Sequence, residues 1–428
     1  TEALITNLGK IRALRVISRT TAMHFKGTNK TLPEIARELN VDAVVEGSVL
    51  RSGNRVRVTA NLLHAPTDRH LWANTYESDM QDVLVLQGEV ARAIAEEVRI
   101  KLTPDEQVRL TATRPVKPEA YEAYLKGCLY ASRLTASEDG RWRAVDQFQQ
   151  AIKLDPTFAP AHAGLASVYA NLGHTSSLAP MDAYPQARVA ALKALELDNT
   201  LPEAHVALSW IELDFEWDWA GAEREAKFAL ALNPRSVKAI NSYSRYLTFM
   251  GRVDEAISMA RQADQQDPFA PSNLAWVYFN STRYDEAISF LRDFVARDPT
   301  SWYGHYFLAG VYAVKGSCAE ALNEAEKGQC GTACKDVYAL CGQRRTALRY
   351  IREEEALSKR TYLDLTLNGF TYALLGDTDK AIECFEKGYT NHAVFMVYLK
   401  MLAQYPQFSA LRSDPRFQDL LRRMNFPP

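Results

Sequence analysis

WRAVDQFQQAIKLDP, residues 142–156, reads as an alanine-rich helix brought to a stop by Asp155-Pro156. Proline ends a helix because it has no N–H to donate. The same punctuation recurs at Asn233-Pro234, Asp267-Pro268 and Asp298-Pro299, and at Asp198-Asn199 without the proline. Successive stops from 155 onward lie 43, 35, 34 and 31 residues apart. A period in that range marks an array of two-helix units rather than one globular core. The interval of 43 fits a unit carrying extra residues, and GHTSSLAPMD (173–182) is the natural place for them.

The repeating part, residues 118–390, resembles the tetratricopeptide family. Ala144, Phe148, Ala151 and Pro156 stand at its small, aromatic, small and proline positions. Leu165, Ala166, Tyr169, Ala187 and Ala194 fit the next repeat. Trp302, Leu308, Ala309, Tyr312, Gly316 and Ala321 fit another, and Gly369, Tyr372, Gly376, Ala381 and Phe385 the last clear one. Small residues let helix backbones approach, and aromatics fill the gap to the neighbouring helix. About eight helix pairs are expected, at roughly 118–156, 157–199, 200–234, 235–268, 269–299, 301–329, 333–357 and 361–390. The seventh is poor, because ACKDVYAL (333–340) is short. Residues 391–428 should form a helix or two ending in DPRFQDLLRRM, a charged cap for the solenoid. MNFPP reads as the natural terminus.

Composition agrees with packed helices. The 428 residues include 44 aromatics but only 20 glycines. Hydrophobic residues make up 47% and charged residues 24%, so wholesale disorder is excluded. Lys and Arg number 50 against 52 Asp and Glu, a net charge of -2. That balance argues against a globally basic nucleic-acid binder. There is no run of 18 apolar residues, so no membrane insertion by this segment is expected. TEALITNLGKI opens as a helix already under way, without Met or a cap, which implies upstream sequence.

Residues 1 to about 110 alternate between two periods. TEALITNLGKI is helical, LRVISRT (14–20) is β-branched and strand-like, and TLPEIARELN (31–40) is a short helix with Pro33 in its first turn. VDAVVEGSVL, the turn Ser52-Gly53-Asn54 and RVRVTANLL form a hairpin. Val56, Val58, Ala60 and Leu62 alternate with polar residues, the mark of a strand with one wet face. Ala65-Pro66-Thr67-Asp68 turns into a third strand, RHLWANTY. Ser78 and Gln81 signal a capping box opening a helix over 79–102. PEIARELNVD imitates the start of a helix-turn-helix, but the β-branched DAVVEGSV follows where a recognition helix should be.

This unit resembles the TolB amino-terminal-like (FlgO-type) domain of bacterial signalling proteins, through LRVISRTTAMHFKG, LPEIARELNVDAVVEGSVLRSGNRVRVTANL and DRHLWANTYESDMQDVLVLQGEVARAIA. The resemblance covers residues 1–103 and implies partner binding without a catalytic residue. The family's first strand and acidic loop are absent, leaving a sheet position empty or filled by something else. The expected fold is mostly α: a right-handed tetratricopeptide solenoid (118–390) after a small α/β domain with a mixed sheet (1–110), closed by capping helices (391–428).

Catalytic and cofactor motifs are missing: no G-x-x-x-x-G-K-[ST], H-E-x-x-H or G-x-S-x-G occurs. No cofactor, metal or catalytic residue is predicted. His162 and His205 hold equivalent places in successive repeats. Glu353, Glu354, Glu355, Glu324 and Glu326 read as solvated helix faces. Cys318, Cys330, Cys334 and Cys341 crowd into 24 residues, but their spacing matches no common zinc pattern, so separate reduced thiols are expected. Asp214, Glu216 and Asp218 interleave with Phe215, Trp217 and Trp219, as in a tight turn with inward aromatics.

A concave surface is left. Repeat phase points Asn171, Trp210, Asp214, Asn241, Arg245, Phe249, Trp276, Asn280 and Tyr306 inward, amides beside aromatics, as a site for an extended peptide. Chaperone-binding tetratricopeptide domains clamp a terminal carboxylate with Lys and Asn. The corresponding positions here are Ala163/Ser167, Asn241/Arg245 and Ser272/Trp276, a departure from that clamp. The reading is a non-catalytic protein- or peptide-binding scaffold or sensor. By resemblance it belongs to the C-terminal part of a bacterial winged-helix regulator, Ser/Thr kinase or adenylate cyclase. The same resemblance favours the extracytoplasmic side of the inner membrane, with the cytoplasm as alternative. The rival readings are a homodimerising module and a glycan-active enzyme using residues 214–219, which needs two carboxylates facing one cleft.

Overall fold

The computed structural model describes residues 2–111, 115–132, 138–266, 273–358, 362–402 and 405–426. The Asp267-Pro268 stop, the Ser272 position and the last two residues of MNFPP lie outside them.

The helix Glu2–Gly9 and the helix Leu32–Leu39 form as expected. The second is opened by a reciprocal cap, in which the Glu34 carboxylate accepts from the Thr31 N–H at 2.7 Å. Strands β1 (Ala43–Ser52), β2 (Arg55–His64) and β3 (Arg69–Asp79) pair in the order β1-β2-β3. Both ladders are antiparallel, so the sheet is not the mixed one expected. Val56, Ala60 and Leu62 of β2 are buried, while Arg55 and Arg57 pair with Glu77 on the wet face. The helix Val83–Glu97 covers the buried face with Val83, Leu86, Val90, Ala91 and Ile94.

Two local expectations fail here. LRVISRT makes no strand; residues 14–18 are irregular, and Ser18 caps the helix Arg19–His24. β-branched residues form a strand only where a ladder partner exists, and this segment is tied down elsewhere. The Ser18 N–H donates to the Gln266 carbonyl at 3.3 Å, and Arg15 reaches the carbonyls of Leu39, Asn40 and Gln265. The Ser78 capping box does not form either, because β3 pairs through Asp79 and holds Ser78 extended. The long helix therefore starts at Val83 and stops at Glu97. Thr103 and Glu106 make the reciprocal cap instead, at the helix Pro104–Thr111.

All eight helix pairs are present, stacked as a tetratricopeptide-like solenoid. The first four are Pro118–Ser132 with Glu138–Leu154, Ala159–His174 with Pro180–Leu197, Pro202–Ile211 with Trp219–Leu232, and Val237–Phe249 with Val253–Gln266. The last four are Asn273–Asn280 with Tyr284–Arg297, Trp302–Val314 with Cys318–Lys327, Lys335–Leu340 with Arg344–Leu357, and Thr366–Leu374 with Thr378–Thr390. Gly127 and Gly164 show why small residues recur. A Cβ on either would lie 2.6–2.7 Å from the Phe148 ring, which is clamped between two successive first helices.

The stops between pairs are built by more than proline. The carboxylates of Asp155, Asp198 and Asp298 each accept from the N–H and hydroxyl of the threonine two residues on, at 2.7–3.1 Å. His162 and His305 then hold the carbonyls of Pro156 and Pro299, both at 3.0 Å.

Further corrections fall in the C-terminal half. Cys318 and Cys341 are not separate thiols but a disulfide, joining the start of one helix to the end of another. The spacing gave no hint because a six-residue helix, Lys335–Leu340, folds Cys341 back. Glu324 is buried against His305, and Glu354 receives the buried Lys335 ammonium at 3.0 Å, so neither sits on a solvated face. The described residues of 391–426 form several short turns and helices rather than one or two. Of these, Pro415–Arg423 packs Phe417 and Leu420 against the last pair.

Candidate functional site

The inner face is organised around one buried ion pair. Where the third pair turns, Glu212–Glu216 winds as a single π-helical turn and Trp217 takes a left-handed backbone, φ 54°. This wider turn sends Asp214 inward, with no solvent exposure. Its carboxylate lies 2.7 Å from Nη1 of Arg245 on the next pair. The Tyr184 hydroxyl donates to it at 3.4 Å, and His174 Nδ1 lies at the same distance. The Arg245 guanidinium sits 5.2 Å from the ring centres of both Trp210 and Phe249. Burial alone would raise the Asp214 pKa, but Arg245 and His174 outweigh it and hold the carboxyl below its usual range. Burial pushes the Tyr184 hydroxyl far up, so it remains a neutral donor.

The chain's own C-terminal segment lies on this face. Val394, Met396, Val397 and Leu399 are buried, and Val394–Tyr398 is one 3-10 turn. The Trp276 indole N–H donates to the Tyr398 hydroxyl at 3.0 Å. Tyr398 also meets Phe249 edge to face at 5.0 Å. The Tyr405 hydroxyl donates to the Asn280 carbonyl at 3.2 Å. Further along, Trp217 stacks on His392, and the Trp219 indole donates to the Met424 carbonyl while its ring stacks on Phe426. The acidic aromatic turn at 214–219 thus closes the solenoid onto its own end.

Among the predicted inward residues, Trp210, Asp214, Arg245, Phe249 and Trp276 come together in one constellation with Tyr398. Asn280 adjoins it through the backbone of Trp276, whose carbonyl accepts from the Asn280 side chain at 2.8 Å. Tyr306 stacks on Trp302 at 4.9 Å. Asn171 and Asn241 lie half-buried, and neither side-chain oxygen finds a hydrogen-bond partner among the described residues; the same holds for the Trp210 indole N–H. His174, Tyr184 and Tyr398 went unrecognised. VFMVYLKML (394–402) carried the signal, being too apolar for a solvent-facing cap.

Asp218 does not face a common cleft with Asp214: its carboxylate caps the following helix by accepting from the Gly221 N–H at 3.0 Å. The paired-carboxylate enzyme reading falls with that geometry. Arg245 is committed to Asp214, so it cannot serve a carboxylate clamp.

Family models described as tetratricopeptide repeat match residues 272–330 and 369–390. Tetratricopeptide repeats are present in this chain. A protein of Rhizobium meliloti (strain 1021) named "Putative adenylate cyclase 3" is 33% identical over 220 residues, covering 49% of this chain and 36% of that protein. The chain therefore spans little more than a third of that relative's length. Among solved structures, the human IFIT1 dimer with m7Gppp-AAAA is 18% identical, with a TM-score of 0.48 over 71% of this chain and 77% of that one. A thermophilic tetratricopeptide protein of Thermus thermophilus is 18% identical, with a TM-score of 0.36 over 49% of this chain and 98% of that one. These repeats support a protein-interaction scaffold. No helix among the described residues is long and apolar enough to cross a membrane.

Proposed function

We propose that the chain is the non-catalytic, peptide-binding sensor or scaffold region of a bacterial signalling protein, with the inner face of the solenoid as its binding surface. One observation carries this reading: that face already holds a length of the chain itself, residues 392–402 and Tyr405, through aromatic contacts and indole and hydroxyl hydrogen bonds. The strip Asn171, Trp210 and Asn241 beside Arg245 has amide oxygens and an indole N–H without partners among the described residues. Such groups suit a peptide backbone with an aromatic anchor.

The signalling context rests on the resemblance of residues 1–103 to TolB-amino-terminal-like (FlgO-type) domains and on the cyclase-named relative. The effector is then a cyclase, kinase or winged-helix module, with the repeats on the extracytoplasmic side. Selection of peptides from a random library on the purified chain tests the binding surface. Selected peptides should lose at least tenfold in affinity with Trp210→Ala or Asn241→Ala. Affinities unchanged in both variants would sink the reading.

A second reading is self-assembly through the sheet. Among the described residues β1 pairs only with β2, and Val49 and Leu50 on it are 70% and 61% exposed. Light scattering over a dilution series should then show a dimer that Val49→Lys dissociates; a monomer at every concentration removes it.

A further inference from the structure

The α/β unit touches the solenoid at two places of unequal strength. The first is a shared core. Val56, Met80, Val83 and Leu86 of the unit pack in one buried cluster with Val116, Tyr121 and Ala151 at the first pair. The Val116 N–H donates to the Gln81 carbonyl at 2.8 Å, and the Gln87 side chain donates to the Tyr121 hydroxyl at 2.6 Å. Apolar burial of this kind roots the unit in the first pair.

The second is a polar clip three pairs further on. Residues 10–18 leave the helix Glu2–Gly9 as irregular chain. Gly9 lies against the end of the third pair, where a Cβ would come within 3.3 Å of the Asn233 side chain. Arg15 Nη1 donates to the Gln265 carbonyl at 3.2 Å, and the Ser18 N–H to the Gln266 carbonyl at 3.3 Å. Both glutamines end the helix Val253–Gln266 of the fourth pair. The same segment is held more firmly by its own unit. Ile11 is fully buried in the unit's core, and the Arg12 N–H donates to the Glu106 carboxylate at 2.9 Å. Arg15 Nη2 donates to the carbonyls of Leu39 and Asn40, the latter at 2.7 Å. Bonds of 3.2 and 3.3 Å stand at the long end of the N–H···O range, so a further ~0.5 Å of separation breaks them. When the two bodies part, the clip gives and the segment stays with the α/β unit.

The unit is thus rooted at the first pair and clipped at the fourth. Asn171, Trp210 and Asn241 stand on the second, third and fourth pairs, one on each. A peptide that engages all three sets how those pairs stack, and that stacking fixes the distance from root to clip. We propose that the α/β unit is a lever reading this stacking: a peptide bound along the inner face releases the clip at Gln265 and Gln266 and frees the unit to swing about the first pair. The inference rests on the peptide reading of the inner face and adds its output. Linkage gives the converse. If bound peptide opposes the clip, loss of the clip favours the peptide by the same factor.

The test uses the full chain and a peptide selected on it from the random library. Ser18→Pro removes the backbone donor of the clip and suits the local backbone, φ -64°. It also removes the Ser18 hydroxyl that caps the helix Arg19–His24, a loss that Ser18→Ala shares while keeping the N–H. Bound peptide should quicken amide exchange over residues 15–20 of the unsubstituted chain about fivefold, while residues 83–97 keep their protection. Ser18→Pro should bind the peptide about fivefold more tightly than Ser18→Ala. Exchange over 15–20 that stays level or slows, or Ser18→Pro binding no tighter than Ser18→Ala, overturns the lever and leaves the peptide reading intact. If the unsubstituted chain retains no peptide, that reading falls and the lever falls with it.

Discussion

The indole of Trp217 and the imidazole of His392 stack face to face, 4.6 Å between ring centres and 10° from parallel. His392 Nδ1–H also donates to the Phe215 carbonyl at 2.7 Å, and Tyr389 stacks on the same indole at 5.2 Å. The turn of the third pair thus holds the end of the eighth. Trp217→Ala removes both stacks and should cost about 2 kcal/mol, below the figure for a fully buried tryptophan because Trp217 is half-buried. Amide exchange across 392–402 should quicken more than elsewhere. Uniform protection in the variant would show that the buried Val394, Met396 and Val397 hold the closure alone.

Breaking the Asp214–Arg245 pair from one side leaves a buried charge. Arg245→Met should destabilise by about 3–5 kcal/mol, and adding Asp214→Asn should recover much of that. The folded-state pKa of Asp214 is depressed. Its contribution is therefore complete above the unfolded value of about 3.9 and disappears as pH falls through the lower folded value. Chemical denaturation of the two variants from pH 3 to 6 measures both effects, and equal stability of the single and double variants would refute the pairing.

What could be read in advance was whatever depends on neighbours a few residues away. Ala144, Phe148 and Ala166 announce the repeat because each helix pair crosses its own partner and the next. The alternation from Arg55 to Leu62 announces a strand because its partners are joined by short turns. LRVISRT misled because its β-branched residues lack a partner strand, and Ser78 because pairing in β3 took precedence over capping. Repeat phase picked out nine residues, of which Trp210, Asp214, Arg245, Phe249 and Trp276 come together. What covers Phe249 did not follow from it, since Tyr398 lies beyond four further helix pairs along the chain. The Cys318–Cys341 bond was hidden for a related reason, a six-residue helix that reverses the chain.

Gly164 lies inside the helix Ala159–His174, where alanine would ordinarily gain about 1 kcal/mol in helix propensity. Here a Cβ would sit 2.6 Å from the Phe148 ring, which is itself backed by Gly127 and cannot retreat. Gly164→Ala should therefore destabilise by about 1–3 kcal/mol. Phe148→Leu in the same background should relieve part of the overlap. A melting temperature at or above the parent's for Gly164→Ala would show that the ring has room.

Glu212 predicts a pH dependence opposite in sign to that of Asp214. Burial, seconded by the Glu225 carboxylate, pushes its pKa up to about 7 against the pull of Arg224 and Arg188. Those guanidinium nitrogens lie 3.7 and 4.0 Å from its Oε1, too far for good hydrogen bonds. Between the unfolded value of about 4.3 and the folded value of about 7, the native state holds a proton that the unfolded chain has lost. Stability therefore falls as pH rises through this window and levels off above it. Glu212→Gln keeps the shape without the charge, so it should flatten that fall and leave the variant about 1–3 kcal/mol more stable than the parent at pH 8. At pH 4, where Glu212 is protonated in both states, the two should coincide. Denaturation midpoints across pH 4 to 8 measure the difference, and parallel curves would mean that the carboxylate is ionised and satisfied by its two arginines after all.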